Sequence, residues 1–364
     1  QILEHLSKAG TAPCFQQIIK NRDGSGITSV RLNGHSFHLR LLTYLEGTFW
    51  VNVSGRNDGL HYSLGRFMAQ MDKVLSDFSH PAMHRRYTWD ISTATDNWVL
   101  LDAVRDPERK RLAGYFLLQF ETQVVPMLPQ LRQAYIHNDA NDYNVLVDGG
   151  RVSGLIDFGD MVHSALVNNI AVACTYAMLN EPDPLAVATR VVKGYHEEYP
   201  LHLEEVDLLY YLIAGRLCIS VIQSAVRSAA QSGNEHHYIT ERHAWQLLQQ
   251  LIRINPLLAG DSFRRACGFS PVIREEGHSE LLKDRQAYIG HNLSISYRKK
   301  IKVVQGALQY LYDDQGRTYV DCVNNPSHAG HCHPAVVKRV QRQLATLNTN
   351  TRYLSDLMVQ YACL

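Results

Sequence analysis

Residues 135–160 read YIHNDANDYNVLVDGGRVSGLIDFGD. Two apolar runs rich in β-branched residues flank Asp148-Gly149-Gly150, and Asp-Gly favours positive φ, so the stretch predicts strand, turn and strand. Ahead of the first strand stand His137-Asn138-Asp139 and, after four further residues, Asn144; the second strand ends at Asp157-Phe158-Gly159. A hairpin of this kind brings Asn144, at the mouth of one strand, close to Asp157, at the end of the other. A carboxylate to orient an attacking hydroxyl, an amide, and a second carboxylate to hold Mg²⁺ form the residue order that phosphoryl transfer from a nucleotide requires. Either tripeptide alone is a weak signal, whereas their joint occurrence across a hairpin is specific.

Working outward, the 364 residues are 45% hydrophobic and 20% charged, a globular composition long enough for two domains. Thirty-six basic against 35 acidic residues leave a formal charge of +1, with no excess to draw in nucleic acid or an anionic membrane. No run of 18 apolar residues is present, so no membrane span is expected. The first ten residues lack the pattern of a secretory signal. Seven scattered cysteines point to reduced thiols and a cytoplasmic setting. His331-Cys332-His333 has no second Cys/His pair at ligand spacing and is read as a loop.

Residues 1–8 read as the latter part of an amphipathic helix with Ile2, Leu3 and Leu6 on one face and Gly10 ending it, so the domain is expected to be cut on its N-terminal side. Strands are expected at 14–19 and 27–32, around the Asp23-Gly24-Ser25-Gly26 turn, and at 38–45. Gly24-x-Gly26 lacks the third glycine of a phosphate loop and is read as a turn. Leu64, Phe67, Met68, Met71, Val74 and Leu75 recur with a helical period over 60–78. Tyr87-Thr88-Trp89-Asp90 falls in a loop. There Trp89 and Asp90 are candidates for an acceptor pocket, because an aromatic face and a carboxylate suit an ammonium; a buried Trp beside a helix-capping Asp is the plainer alternative. Helices at 114–131, 166–179, 184–199, 204–230 and 240–254, punctuated by Pro182, Pro184 and Pro200, predict a helical lobe packed around the hairpin. His236, His237 and His243 fall on an exposed polar connection.

IHNDANDYNVLV together with SGLIDFGDM resembles the aminoglycoside phosphotransferase and choline kinase group of small-molecule kinases, and within it the hydroxylysine kinase branch. RLLTYLEG at 40–47, LGRFMAQMDKVLSDFSHP at 64–81 and YTWDI at 87–91 extend the likeness over most of residues 1–255. Asn138 stands where the group's motif usually carries glycine, a departure in local backbone and not in chemistry. The resemblance implies an α+β, protein-kinase-like fold: a partial β small lobe and a helical large lobe with a catalytic β-hairpin. It also implies that 41–46 is the strand and hinge that receive a nucleotide base, with Tyr44 and Leu45 as cofactor-binding contacts. The glycine-rich cover, the strand lysine and its partner glutamate have no counterpart here. The chain as it stands is therefore expected not to be a competent kinase, while its parent is.

Asp139 is accordingly the catalytic base or hydroxyl-orienting group. His137 holds the loop by hydrogen bonding, with direct participation as the second reading. Asn144 and Asp157 are the metal ligands, for Mg²⁺ bridging the phosphates of ATP or GTP. Asp160 either caps the next segment or meets an acceptor amine.

Residues 256–290 turn to Pro, Gly, Ser and alternating charge and are read as a linker, with some helix near 279–286. Beyond lie β-rich runs at 301–304, 308–312 and 319–323, with a turn at Asp313-Asp314-Gln315-Gly316. A helix follows at 334–347, with Val336, Val337, Val340 and Leu344 as its apolar face. Residues 291–364 resemble the start of class III pyridoxal-phosphate aminotransferases, on YLYD-x-x-G-x-x-Y-x-D-C-V-N-N and G-H-C-H-P, in the branch containing ethanolamine-phosphate and phosphohydroxylysine phospho-lyases. That resemblance implies an incomplete PLP fold-type I segment, PLP in the complete parent only, and a homodimer through that domain. It supplies no catalytic residue, since the Schiff-base lysine of such enzymes lies much later.

The domain reading is thus a kinase domain at 1–255, a linker at 256–290 and the start of an aminotransferase at 291–364. Together they are expected to be a fragment, cut at both ends, of a fused enzyme. One part phosphorylates a small amino-alcohol substrate of hydroxylysine or ethanolamine type; the other eliminates the phosphate. The alternatives are a pyridoxal transaminase whose kinase-like domain only binds substrate, and a purely structural helical domain.

Overall fold

The computed structural model describes residues 1–8, 14–230, 235–273, 278–290, 292–295, 297–323, 327–347 and 363, and the side chains of these except at 230 and 235–240. Gly10, Asn324, Asn325 and the side chains of His236 and His237 lie outside the described residues. Helix α1 (Ile2–Lys8) buries Leu3 and Leu6. Strands β1 (Ile18–Ile19), β2 (Thr28–Leu32), β3 (His35–Leu39) and β4 (Leu41–Leu42) form two separate ladders, β1 with β4 and β2 with β3. They are shorter than the sequence predicts and differently joined. The hairpin turns on Asn33-Gly34, whose φ values of 50° and 79° are those the tightest hairpin turn demands. The Asp23–Gly26 stretch is instead a local loop, folded onto the Asn21 side chain, which accepts from the N–H groups of Asp23 and Ser25.

After β5 (Thr48–Phe49), helix α2 (Asp58–Leu75) is capped by Asn57, whose side chain accepts from Leu60 N. It buries Leu60, Leu64, Phe67, Met68, Met71 and Leu75, one face of a 3.6-residue period. Asp90 caps a run of 3-10 turns, Ile91–Ala103. Helix α3 (Pro107–Gln123) begins well before the predicted start at 114, because Asp106 accepts from Arg109 N and Pro107 occupies the first turn. Strands β6 (Gln133–Ile136), β7 (Val145–Asp148), β8 (Arg151–Leu155) and β9 (Val162–Ala165) carry the predicted hairpin, β7–β8, with β5 on its open edge and β6 paired to β9.

Helices α4 (Leu166–Ala177), α5 (Pro184–Glu198), α6 (Leu203–Ala230) and α7 (Glu235–Leu251) build the expected helical lobe. Of these α6 is long and apolar enough to cross a membrane, and 72% of its apolar window is buried inside the protein. It is packed by α3, α4, α7 and the 3-10 segment.

The stretch read as a linker begins as part of this lobe. Helix α8 (Pro256–Ala266), capped by Asn255, buries Ala259 and Phe263 and packs on α5 and α6. Only α9 (Ser279–Tyr288) matches the helix expected there. Strands β10 (Val303–Ala307), β11 (Tyr310–Asp313) and β12 (Thr318–Val320) form a meander, and α10 (Pro334–Thr346) follows. The meander sits on the helical lobe. Tyr312 Oη donates to Ile252 O (2.6 Å), Asn255 Nδ2 donates to the carbonyls of Asp313 (2.8 Å) and Arg317 (3.1 Å), and Gln305 Nε2 donates to Gln119 Oε1 (3.1 Å). The predicted apolar face of α10 is largely open: Val336, Val340 and Leu344 are half or more exposed.

Helices α2 and α5 cross with their backbones in close contact. A Cβ on Gly65 would lie 1.9 Å from Val191 O, and one on Gly194 would lie 2.1 Å from Tyr62 O. Neither backbone can yield without parting the helices. Gly65→Ala should therefore cost at least about 1–3 kcal/mol in urea denaturation. Gly260→Ala, on α8 with nothing within 4 Å, should instead stabilise by about 0.5–1 kcal/mol.

Candidate active site

Two loops meet between the paired strands. Residues 137–144 leave β6 and enter β7, while 156–161 leave β8 and enter β9; the ladders are in register at Ile136 with Val162 and at Val145 with Leu155. Both loops are therefore pinned at both ends. His137 joins them where they begin: its Nε2 lies 3.1 Å from Ile156 O and its Nδ1 accepts from Asp139 N (3.2 Å), which requires the proton on Nε2. The ring packs edge-on against Phe158. Burial lowers the His137 pKa to about 4, so the imidazole is neutral.

Asn138 has φ of 65°, the left-handed region that glycine enters freely and Asn tolerates better than most residues. This accounts for Asn where the related motif has glycine. Its N–H donates to Asn169 Oδ1 (3.1 Å) and its Nδ2 to Asp160 O (3.3 Å).

Asp139 is held at both oxygens. Asn141 Nδ2 and Asn144 Nδ2 each donate to Oδ2 (2.9 Å), and Arg216 Nη2 donates to Oδ1 (3.0 Å). Burial pushes this carboxyl up to about 6, against the pull of Arg216 and Asn141 and with the charges of Asp160 and Asp157 adding to the rise. Ile156 N donates to Asn144 O (3.0 Å), so Asp157, the next residue, sits across from Asn144. Asp157 is exposed with φ of 61°, and its Oδ1 accepts from Gly159 N (3.2 Å). Arg85 clamps the same loop by donating to Gly159 O (2.8 Å) and Met161 O (3.1 Å).

Among the described residues no group of three or more His, Cys, Asp or Glu gathers as a metal cluster. The donor chemistry nonetheless fits a hard cation shared with a ligand. Asn144 commits its amide nitrogen to Asp139, which turns Oδ1 the other way, and Asp157 offers an exposed carboxylate. Such oxygens, with phosphate and water completing six positions, suit Mg²⁺.

A cavity of about 490 Å³ opens in front of Asp139, lined among others by Trp89, Asp160, Tyr176, Arg216, Arg227 and Glu241. Trp89 belongs to it, beneath the guanidinium groups of both Arg216 (5.1 Å) and Arg227 (5.3 Å). Asp90 does not. It is buried as the cap of the 3-10 segment, accepting from Ser92 N (3.0 Å) and Ser164 Oγ (2.7 Å), so the plainer alternative describes it. Asp160 accepts from the Tyr87 hydroxyl and faces the cavity. Tyr44 is 85% exposed, and Leu45 lies against the hairpin at Gly154.

Sequence reasoning missed Arg216. It is 1% exposed, donates also to Trp89 O (2.7 Å) and Tyr176 Oη (3.3 Å), and neutralises Asp139 from beneath. A lone arginine in the apolar run LLYYLIAGRLCISVI is costly unless paired, and that was the available signal. His331 pairs with Asp321 (2.7 Å) and His243 with Asn180 (3.1 Å), both away from the cavity.

Residues 1–206 match the profile of the phosphotransferase enzyme family. Hydroxylysine kinase of Mus musculus is 29% identical over 248 residues, 64% of this chain and 64% of that protein, so the chain spans under two thirds of that relative. The alanine–glyoxylate aminotransferase 2-like protein of Drosophila melanogaster is 45% identical over 85 residues, 23% of this chain and 17% of its own length. The solved microcompartment-associated aminopropanol kinase shares the fold, with a TM-score of 0.53 at 16% identity over 73% of this chain and 81% of that one. The protein-kinase-like fold is thus common to both chains.

The neutral, buried His137 sets a slope in stability against pH. Its folded pKa, about 4, lies below the unfolded value of about 6.5, so the unfolded chain binds the extra proton between them. The contribution is complete above about pH 6.5 and is lost as pH falls towards 4, about 3 kcal/mol in all. Denaturation free energies measured across that window should show this fall, and His137→Gln should flatten it.

Proposed function

Because the chain belongs to the phosphotransferase enzyme family, we propose that it carries the phosphoryl-transfer part of an enzyme acting on the hydroxyl of a small, amine-bearing acceptor. One observation supports this above the rest: Asp139 and Asn144 are joined by hydrogen bonds at the mouth of the hairpin, with Asp157 opposite and an open cavity in front. Asp139, with a pKa of about 6, is ionised at neutral pH and close enough to it to accept the hydroxyl proton. Asn141, Asn144 and Arg216 fix its rotamer, so the carboxylate is oriented before the acceptor arrives. Asn144 Oδ1 and Asp157 are the residues that would hold Mg²⁺. When bound, the metal offsets charge on the phosphates of ATP or GTP. Tyr44 and Leu45 as base contacts rest on the family resemblance, and the packing of Leu45 on the hairpin is compatible with it.

The cavity's charges bear on the acceptor. Asp160 and Glu241 suit an ammonium, and Arg227, stacked on Trp89, offers a partner for a carboxylate. This set favours a hydroxy amino acid of hydroxylysine type over ethanolamine, in keeping with the likeness to hydroxylysine kinase. The aminotransferase-like match supports a whole protein in which a pyridoxal enzyme of the phospho-lyase type uses the phosphorylated product, phosphate being a better leaving group than hydroxide. No step through pyridoxal phosphate is assigned to the residues described. Unpaired cysteines at all seven positions are compatible with a cytoplasmic enzyme.

The full-length protein incubated with Mg²⁺, ATP or GTP, and hydroxylysine or ethanolamine should yield a phosphorylated product by mass spectrometry. Binding of acceptor without product from any of these would overturn the reading and favour a substrate-binding module. Asp139→Asn should lower kcat by about 10²-fold or more while leaving nucleotide affinity nearly unchanged. In the wild type, kcat/KM should fall about tenfold per pH unit below about 6, as Asp139 takes up its proton.

A further inference from the structure

Behind the catalytic loop, away from the cavity, a second polar chain runs through the core. Asp72 on α2 is 1% exposed, and Tyr195 on α5 and Asn169 on α4 are fully buried. Tyr195 Oη donates to Asp72 Oδ2 (2.7 Å), and Asn169 Nδ2 donates to Asp72 Oδ1 (2.6 Å). Asn169 then turns its Oδ1 to the backbone N–H of Asn138 (3.1 Å), the residue directly before Asp139.

The direction of each bond matters. An asparagine amide can present either its oxygen or its nitrogen, and the N–H of Asn138, a donor, is satisfied only by the oxygen. Asp72 Oδ1 stands as the acceptor facing Asn169 Nδ2, so the amide aims its nitrogen at α2 and its oxygen at the loop. Asn138 holds a left-handed φ of 65°, which a non-glycine residue keeps only when its surroundings over-determine it. The price of the arrangement is a buried carboxyl, pushed up to about 7 by burial against the pull of Tyr195 and Asn169.

We propose that Asp72 is a positioning residue for the catalytic loop: it sets the amide of Asn169, which holds the Asn138 N–H and, through it, the bearing of the Asp139 carboxylate. The kinetic part rests on the phosphotransferase reading above; the structural part does not.

The test uses the full-length protein and two readouts. In Asp72→Ala, the Asn138 amide should exchange with deuterium at least tenfold faster than in the wild type, while amides in β7 and β8 keep their protection. The same variant should lose about tenfold or more in kcat, with KM for nucleotide changed by less than about threefold. Asp72→Asn, which keeps an acceptor oxygen for Asn169 and can donate to the Tyr195 oxygen, should restore both. Asp72→Ala combined with Asn169→Ala should be no worse than Asn169→Ala alone, since the two act in series.

Unchanged Asn138 exchange in a folded Asp72→Ala protein would overturn the proposal. So would additive losses in the double variant, or failure of Asp72→Asn to restore protection. Should Asp72→Ala not fold, Asp72→Ser, whose hydroxyl is too short to reach Asn169, carries the same expectations. If the wild type transfers no phosphoryl group, the phosphotransferase reading fails, and the exchange measurements still decide the role of Asp72.

Discussion

Two short antiparallel ladders, β6 with β9 and β7 with β8, hold the ends of two loops at a fixed separation, and the site exists only because they do. Each loop is too polar and too irregular to keep its shape alone. Pinned at both ends and bridged by the His137 imidazole, they bring Asp139, Asn144 and Asp157 together. The helices serve this arrangement from behind: α4 supplies Asn169, α6 supplies Arg216, and α2 and α5, crossing closely at Gly65 and Gly194, pair Asp72 with Tyr195.

The electrostatics show what that placement costs. Burial disfavours the ionised forms of Asp72, deep in the core, and of Asp139, partly buried at the cavity, and Arg216 is a buried cation whose anionic contact among the described residues is Asp139. None of the three would be chosen for stability, since apolar residues of similar volume commonly do as well or better in a core. Their presence is what a site preorganised at the expense of stability looks like. Positive φ at Asn138 and Asp157 adds backbone strain at the same spot, where such strain tends to collect.

Much of this was legible in the residues. The hairpin was readable because Asp148-Gly149-Gly150 favours the positive φ of a tight turn between two β-branched runs, α2 because its apolar residues keep a helical period, and α4, α5 and α6 because Pro182, Pro184 and Pro200 punctuate long helix-forming runs. Three features escaped although local signals existed. Asn33-Gly34 marks the true N-terminal hairpin, and Asp106-Pro107 and Asn255-Pro256 mark the starts of α3 and α8, where a cap followed by proline outweighs weak periodicity. Asp90 was ambiguous between pocket and cap because a capping Asp and a ligand-binding Asp look alike until their neighbours are known. Arg216 meets the 137–144 loop directly and Asp72 through Asn169, both across long sequence separations, and no spacing rule in one sequence connects them to it.

Asn255 works on both sides of the seam between the helical lobe and the meander. Its Oδ1 caps α8 by accepting from Leu257 N (2.9 Å), while its Nδ2 serves the carbonyls of Asp313 and Arg317. The change in composition near that residue is therefore a poor place to divide the polypeptide. Scissors applied there would strip Tyr312 from the Ile252 carbonyl and wet a face built to stay dry. Anyone trimming the protein for expression, or inserting a protease site between its two regions, should keep the strands through Val320 with the helices before them.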